Sequence, residues 1–152
     1  MAAASDLKHR LQQAVKDAMR AKDKTRLGVL RMVTAAVKQR EVDERTELDD
    51  AQVLEVLTRM VKQRRESIAQ YRDAGRDDLA AVEEAELEVL AEFMPQPLSE
   101  QELDALVAQA ISDTGAEGMQ DMGRVMGQLK SQVQGRADMG AVSKMVKARL
   151  AS

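Results

Sequence analysis

Met94-Pro95-Gln96-Pro97-Leu98, followed at once by Ser99-Glu100-Gln101-Glu102, sets the organisation of this 152-residue chain. Both prolines of the sequence stand here. A proline ring removes an amide donor, clashes with the preceding helical turn and pushes its predecessor out of helical dihedrals. A helix arriving from the N-terminal side therefore stops here. Ser99 with Glu102 three residues later has the spacing of a capping box, which starts a new helix. The chain is expected to divide into an N-terminal helical subdomain over residues 1–94, a proline-containing linker over 95–98, and a C-terminal subdomain over 99–152.

Upstream of the linker, apolar residues recur at helical spacing. Leu7, Leu11, Val15, Ala18 and Met19 predict a first helix from Ser5 or Asp6 to Ala21. Asp23 suits the N-cap of a second, ending near Glu41 and carrying Leu27, Leu30, Val33, Ala36 and Val37. Val42 to Leu48 is charged and aperiodic and reads as a linker. Asp49 or Asp50 caps a third helix, with Val53, Leu57, Met60, Val61, Arg64, Ile68 and Tyr71 along its inner face. Gly75 is a natural stop in the left-handed conformation. Asp77 or Asp78 opens a fourth helix through Phe93, with Leu79, Val82, Leu90 and Phe93 facing inward.

Downstream, a fifth helix runs to about Thr114, and Gly115 to Gly118 form a turn. Two short helices then echo one another. Asp121-Met122-Gly123-Arg124-Val125 precedes Lys130, and Asp138-Met139-Gly140-Ala141-Val142 precedes Lys147, the same D-M-G-x-V-x-x-x-x-K pattern at an offset of 17 residues. Aspartate is a good N-cap, so two capped helices account for part of the echo. They do not account for the glycines, since glycine inside a helix costs roughly 1 kcal/mol relative to alanine. Gly123 and Gly127 fall on one side of the sixth helix and Lys130 continues that line. Gly140, Lys144 and Lys147 share a side of the seventh. Either a close-packed neighbouring helix or an external ligand would use such a surface. Arg136, beside the glycine turn at Gly135, suits an anion near a helix N-terminus.

Composition supports an all-α reading. Hydrophobic residues make up 44% of the chain, charged residues 32%, and Tyr71 and Phe93 are the only aromatics. The charge is uneven. Residues 1–75 carry 16 bases against 12 acids, residues 76–121 one base against 13 acids, and residues 122–152 six bases against one acid. A basic tail beside an acidic middle points to an anionic partner or to internal pairing. In the first subdomain the bases Lys16, Arg20, Lys22, Lys24, Arg26, Arg31, Arg59, Lys62, Arg64 and Arg65 are expected to pair in part with Glu83, Glu84, Glu86, Glu88 and Glu92 of the fourth helix.

Catalytic signatures are missing. One histidine, His9, and no cysteine remove the common zinc and nucleophile–base arrangements. No phosphate-binding glycine loop is present. No cofactor and no metal are expected. The sequence from Met1 to Asp6 lacks the features of a signal peptide, no apolar run reaches the ~18 residues of a membrane span, and the lack of cysteine fits a reducing compartment. A cytoplasmic location without membrane association is the expectation.

The segments Lys22-Asp23-Lys24-Thr25-Arg26-Leu27, Leu30-Arg31-Met32-Val33, Lys62-Gln63-Arg64-Arg65-Glu66-Ser67 and Tyr71-Arg72-Asp73-Ala74-Gly75-Arg76-Asp77-Asp78-Leu79 resemble the GatB/YqeY family. So do Glu92-Phe93-Met94-Pro95-Gln96-Pro97-Leu98-Ser99 and Asp121-Met122-Gly123-Arg124-Val125-Met126-Gly127 with Gly135-Arg136-Ala137-Asp138. The resemblance spans nearly the whole chain and is closest to stand-alone YqeY-like proteins. Phe93 stands where that family commonly has tyrosine. The resemblance implies four helices in the N-terminal subdomain and three in the C-terminal one, the latter like the tail domain of the GatB subunit of tRNA-dependent amidotransferase, which touches tRNA. The catalytic cradle of that enzyme has no counterpart here.

The function expected is therefore a tRNA-binding accessory module, linked to tRNA-dependent amidotransferase or to glutaminyl-tRNA synthesis, with no chemistry of its own. Its contacts would be Arg124, Lys130, Arg136, Lys144 and Lys147, with Gly123, Gly127 and Gly140 allowing close approach. Two alternatives stand beside it. One is a helical adaptor that docks a protein such as an aminoacyl-tRNA synthetase or an amidotransferase. The other is an auxiliary to a carbon–nitrogen ligase that takes glutamine as its amide donor.

Overall fold

The computed structural model describes residues 5–151. Residues 1–4, part of the stretch read above as lacking a leader, lie outside the described residues. The protein is all-α: seven α-helices, one short 3-10 turn and no strand among the described residues. The helices are α1 (Asp6–Ala21), α2 (Lys24–Glu44), α3 (Asp50–Asp73), α4 (Asp77–Ala91), α5 (Glu100–Thr114), α6 (Met122–Val133) and α7 (Met139–Ala151), with the 3-10 turn at Met119–Asp121. They gather into two compact units, Met1–Met94 and Pro95–Ser152.

In the first unit, α1 and α2 form a hairpin closed by two residues. Lys22 takes the left-handed conformation (φ 57°) and its amide reaches back to α1, while the Asp23 side chain accepts the Arg26 amide and caps α2. Asp49 caps α3 in a complete capping box with Gln52, satisfying two otherwise orphan amides. The core is aliphatic: Leu11, Leu30, Val33, Leu48, Val53, Leu57 and Leu90 are at most 1% exposed. Each such side chain contributes about 1.5–3 kcal/mol on burial.

Several boundaries differ from those expected from the sequence. Helix α2 continues to Glu44, past its expected end near Glu41, and stops at Arg45 in the left-handed conformation. Helix α4 starts after Arg76, which supplies no side-chain cap, and ends at Ala91. Phe93 therefore sits beyond α4, in a turn where its amide donates to Leu90 over 3.1 Å, yet it is buried as expected. Val82 and Met19 face outward, 57% and 52% exposed. The inner line of α4 is phased by Ala80 and Leu90, and Glu83 takes an inward position that periodicity assigns to Val82.

The reason lies on α3. Arg64 Nε donates to Glu86 Oε2 at 2.9 Å and lies 3.6 Å from Glu83 Oε2. The guanidinium turns the acidic side of α4 toward α3. Arg72 pairs with Glu84, Arg26 with Glu92, and Arg76 with Asp78, so Arg26, Arg64, Arg72 and Arg76 are all matched to α4 or its end.

In the second unit, Ser99 caps α5 by accepting the Glu102 amide at 3.1 Å. The Glu102 carboxylate accepts the Ser99 hydroxyl, so the reciprocal bond runs side chain to side chain. Gly115 ends α5 in the left-handed conformation (φ 67°). Leu103, Val107 and Ala110 of α5 meet Val125, Leu129 and Val133 of α6 and Val142, Val146 and Leu150 of α7 in a single apolar core.

Candidate nucleic-acid interface

The echo between α6 and α7 extends into the core. Val125, Leu129 and Val133 on α6 correspond, at the same 17-residue offset, to Val142, Val146 and Leu150 on α7, and all six are buried. At 3.6 residues per turn, Gly123, Gly127 and Lys130 are rotated away from that buried line, and so are Gly140, Lys144 and Lys147 on α7. All six are exposed.

The glycines are open. A Cβ placed on Gly123 or Gly127 would meet nothing within 4 Å. At Gly140 it would meet only the carboxylate of Asp138, at 3.1 Å. No neighbouring helix of the unit presses on these positions, so close packing within the unit does not explain them.

The two aspartates of the echo do different work. Asp138 Oδ2 accepts the Ala141 amide at 3.1 Å and caps α7 as expected. Asp121 makes no side-chain cap to α6. Its Oδ2 instead accepts the Glu117 amide at 2.9 Å and closes the turn before the helix. That bond first, and the Arg124 guanidinium second, hold the Asp121 carboxyl below the usual carboxylate range.

The bases of the tail separate by type. The three arginines have partners within the unit. Arg124 pairs with Asp121 at 2.6 Å, and Arg149 with Asp104 at 2.8 Å. Arg136 Nε donates to the Gln96 carbonyl at 3.0 Å, with Glu102 3.9 Å away. Among the described residues, Lys130, Lys144 and Lys147 take part in no ion pair. Of the five expected contacts, two are thus engaged inside the unit and three point into solvent. Sequence reasoning missed the engagement of Arg124 and Arg136. The signal for Arg124 was present three residues upstream, at Asp121, a spacing at which side chains on a helical turn meet. Arg136 reaches 40 positions back along the chain, which no local pattern announces.

Among the described residues, no three or more His, Asp or Glu side chains are grouped to hold a metal ion, and no helix is long and apolar enough to cross a membrane.

Residues 8–150 match the family described as Yqey-like protein. Three relatives share the name "Altered inheritance of mitochondria protein 41, mitochondrial". The one from Pyrenophora tritici-repentis is 33% identical over 140 residues, covering 90% of this chain and 77% of that protein. The one from Eremothecium gossypii is 38% identical over 85 residues, 55% of this chain and 46% of that protein. The one from Kluyveromyces lactis is 34% identical over 106 residues, 68% of this chain and 57% of that protein. The chain thus spans about half the length of the latter two relatives. These relatives are mitochondrial by name, which overturns the expectation of a cytoplasmic location. The lack of cysteine removes disulfides from the chain and does not choose among compartments. With a match over residues 8–150, the chain belongs to the Yqey-like protein family.

Proposed function

We propose that this protein is a tRNA-binding accessory module, and that its C-terminal unit carries the contact. The observation behind this reading is a set of three exposed lysines, Lys130, Lys144 and Lys147, with no ion pair among the described residues, each on the same helix side as open glycines. A lysine is a compact, mobile point charge suited to phosphate. A glycine without a neighbour lets a sugar–phosphate backbone approach the helix closely. Base stacking plays little part, because Tyr71 and Phe93 are the only aromatics and neither lies in this unit. Recognition is therefore by charge and RNA shape. Arg124 and Arg136 act as positioning residues in this scheme. The proposal includes a division of labour, with residues 1–94 as a four-helix subdomain, residues 99–152 as a three-helix one, and residues 95–98 as the linker between them. It assigns no chemistry to the chain; a tRNA-dependent amidotransferase or a glutaminyl-tRNA synthetase is the kind of enzyme it would assist.

Filter binding of bulk tRNA at several salt concentrations tests this. A phosphate interface loses affinity steeply with salt, and each lysine removed lowers the salt slope by about 1. Lys130→Ala, Lys144→Ala and Lys147→Ala together are expected to abolish most of the slope. Absence of binding at low salt, or an unchanged slope in the triple variant, rejects the proposal.

A further inference from the structure

Helix α4 is apolar toward the core and apolar toward solvent. Ala80 and Leu90 mark its buried side. On the other side Ala81, Val82 and Ala85 are exposed, Val82 to 57%, and half-buried Val89 continues the line. Val82, Ala85 and Val89 stand at i, i+3 and i+7, and Ala81 lies one turn before Ala85. The two valines are therefore about 10 Å apart, with the low relief of alanine beside them. The solvent side of a surface helix ordinarily carries polar residues instead.

Acids border this strip. Asp77, Glu84 and Glu88 fall on one edge of it, at i, i+7 and i+11. Among the described residues, the ion pairs of that edge all go to one arginine: Arg72 pairs with Glu84 and lies 3.5 Å from Asp77. Glu88 is exposed and takes part in no ion pair among the described residues. Over its whole length α4 holds six acids and no base. Arg64, Arg72 and Arg76 meet five of those acids, so negative charge stays in excess.

An exposed apolar strip with an under-neutralised acidic edge narrows the occupant. The phosphates of a nucleic acid and the headgroups of an anionic membrane are repelled by that edge. Two copies meeting through the same face would set like charges together. A merely cationic segment would leave Val82 and Val89 wet. We propose that the outward face of α4 docks a basic amphipathic helix of a partner protein. The apolar side of that helix lies on Val82, Ala85 and Val89, as anchors at i, i+3, i+4 and i+7 do in helix recognition. Its lysines or arginines follow the edge formed by Asp77, Glu84 and Glu88. Both helices advance about 1.5 Å per residue, so cations at the same spacing on the partner keep register with these acids.

The probe is a synthetic, end-capped helical peptide with leucines at i, i+3, i+4 and i+7 and lysines along one flank. A scrambled peptide of equal composition, and a peptide with glutamates in place of the lysines, are the controls. Each is titrated into the full chain and followed by fluorescence anisotropy and amide NMR shifts. Shifts are expected at Ala81, Val82, Ala85 and Glu88, with affinity at least about tenfold above either control. Glu88→Lys is expected to weaken binding about fivefold. Val82→Glu adds an acid while removing an apolar contact, and is expected to weaken it about tenfold. Both residues are exposed, and circular dichroism verifies the fold. Stronger binding by Val82→Glu means that charge alone acts, and overturns the proposal. So does equal affinity for the scrambled peptide, or shifts confined to other helices. Sedimentation of the chain alone tests for a second copy on this face. A mass that rises with concentration in the parent and not in Val82→Glu makes the occupant this chain itself, which also overturns the proposal. Neither variant touches Lys130, Lys144 or Lys147, so tRNA binding and helix docking fail separately.

Discussion

Arg136 Nε donates to the carbonyl of Gln96 over 3.0 Å, and the two residues fasten the proline-containing segment 95–98 to the turn between α6 and α7. A second bond reinforces the clip: the Leu98 amide donates to the Arg136 carbonyl at 2.8 Å. Proline lacks an amide donor, so this segment makes few backbone bonds of its own and depends on partners of this kind. Arg136→Ala is expected to lower the stability of the C-terminal unit by about 1 kcal/mol, as loss of one partly exposed hydrogen bond does. Urea unfolding followed by circular dichroism measures it. Should tRNA affinity fall more than about tenfold in Arg136→Ala without a loss of stability, Arg136 is a contact and not a clip.

The open glycines allow stability and binding to be separated. Gly127 lies inside α6 and an added Cβ meets nothing within 4 Å. Gly127→Ala is therefore expected to stabilise the free protein by about 0.5–1 kcal/mol. If a phosphate backbone rests on this surface, the same variant weakens tRNA binding. A larger side chain, as in Gly127→Leu, weakens it further. A thermal melt and a binding titration on the same preparation check both halves. A stabilised variant with unchanged affinity places the ligand elsewhere.

The two glutamates at Arg64 are not equivalent. Glu86 takes the Arg64 Nε hydrogen bond at 2.9 Å, whereas Glu83 Oε2 is buried without a hydrogen-bond partner and lies 3.6 Å from the same nitrogen. Removing one of two carboxylates that share one cation relieves repulsion, while removing the bonded one also breaks a charge-assisted bond. Glu86→Gln is expected to cost about 1 kcal/mol more than Glu83→Gln. Parallel denaturant titrations of the two variants give the difference. An equal cost would mean that the guanidinium serves both acids alike.

Acid should loosen the α1–α2 hairpin through Glu41. The Lys8 ammonium first, and the Leu48 amide second, hold its carboxyl below the ordinary value of 4.5. Because the folded-state value is depressed, this contribution is fully present above the unfolded value. It is lost as pH falls through the folded one. The midpoint of thermal unfolding is expected to drop as pH is lowered below about 4.5, and to drop less in Lys8→Met. Melts of both proteins between neutral and strongly acidic pH settle the matter. Parallel curves would show that the pair contributes nothing.

Most of the helical framework was legible in advance because its signals are local. Ser99, Asp49 and Asp23 cap the helices they were expected to start, and Gly75 and Gly115 adopt the left-handed conformation (φ 73° and 67°) that ends a helix. The errors cluster where a residue's environment is set by a distant neighbour. Periodicity placed Val82 inside, but Arg64 drew Glu83 inward and left Val82 in solvent. Equal spelling at Asp121 and Asp138 suggested equal caps. Yet Asp121 is the last residue of a 3-10 turn and its carboxylate is taken by the Glu117 amide ahead of that turn, so of the two only Asp138 caps a helix.

The candidate site divides along the same line. Residue type and spacing alone put Gly123, Gly127 and Lys130 on one side of a helix and Gly140, Lys144 and Lys147 on one side of another, since 3.6 residues per turn requires it. Which cations remain free could be known only from the folded chain. Arg124, Arg136 and Arg149 are spent on partners within the unit, two of them reached across at least 40 positions of sequence. Helix formation follows from short-range hydrogen bonding and capping, which a sequence spells out. Charge pairing follows from whichever groups the packed cores bring within a few ångströms, and no stretch of sequence contains that distance.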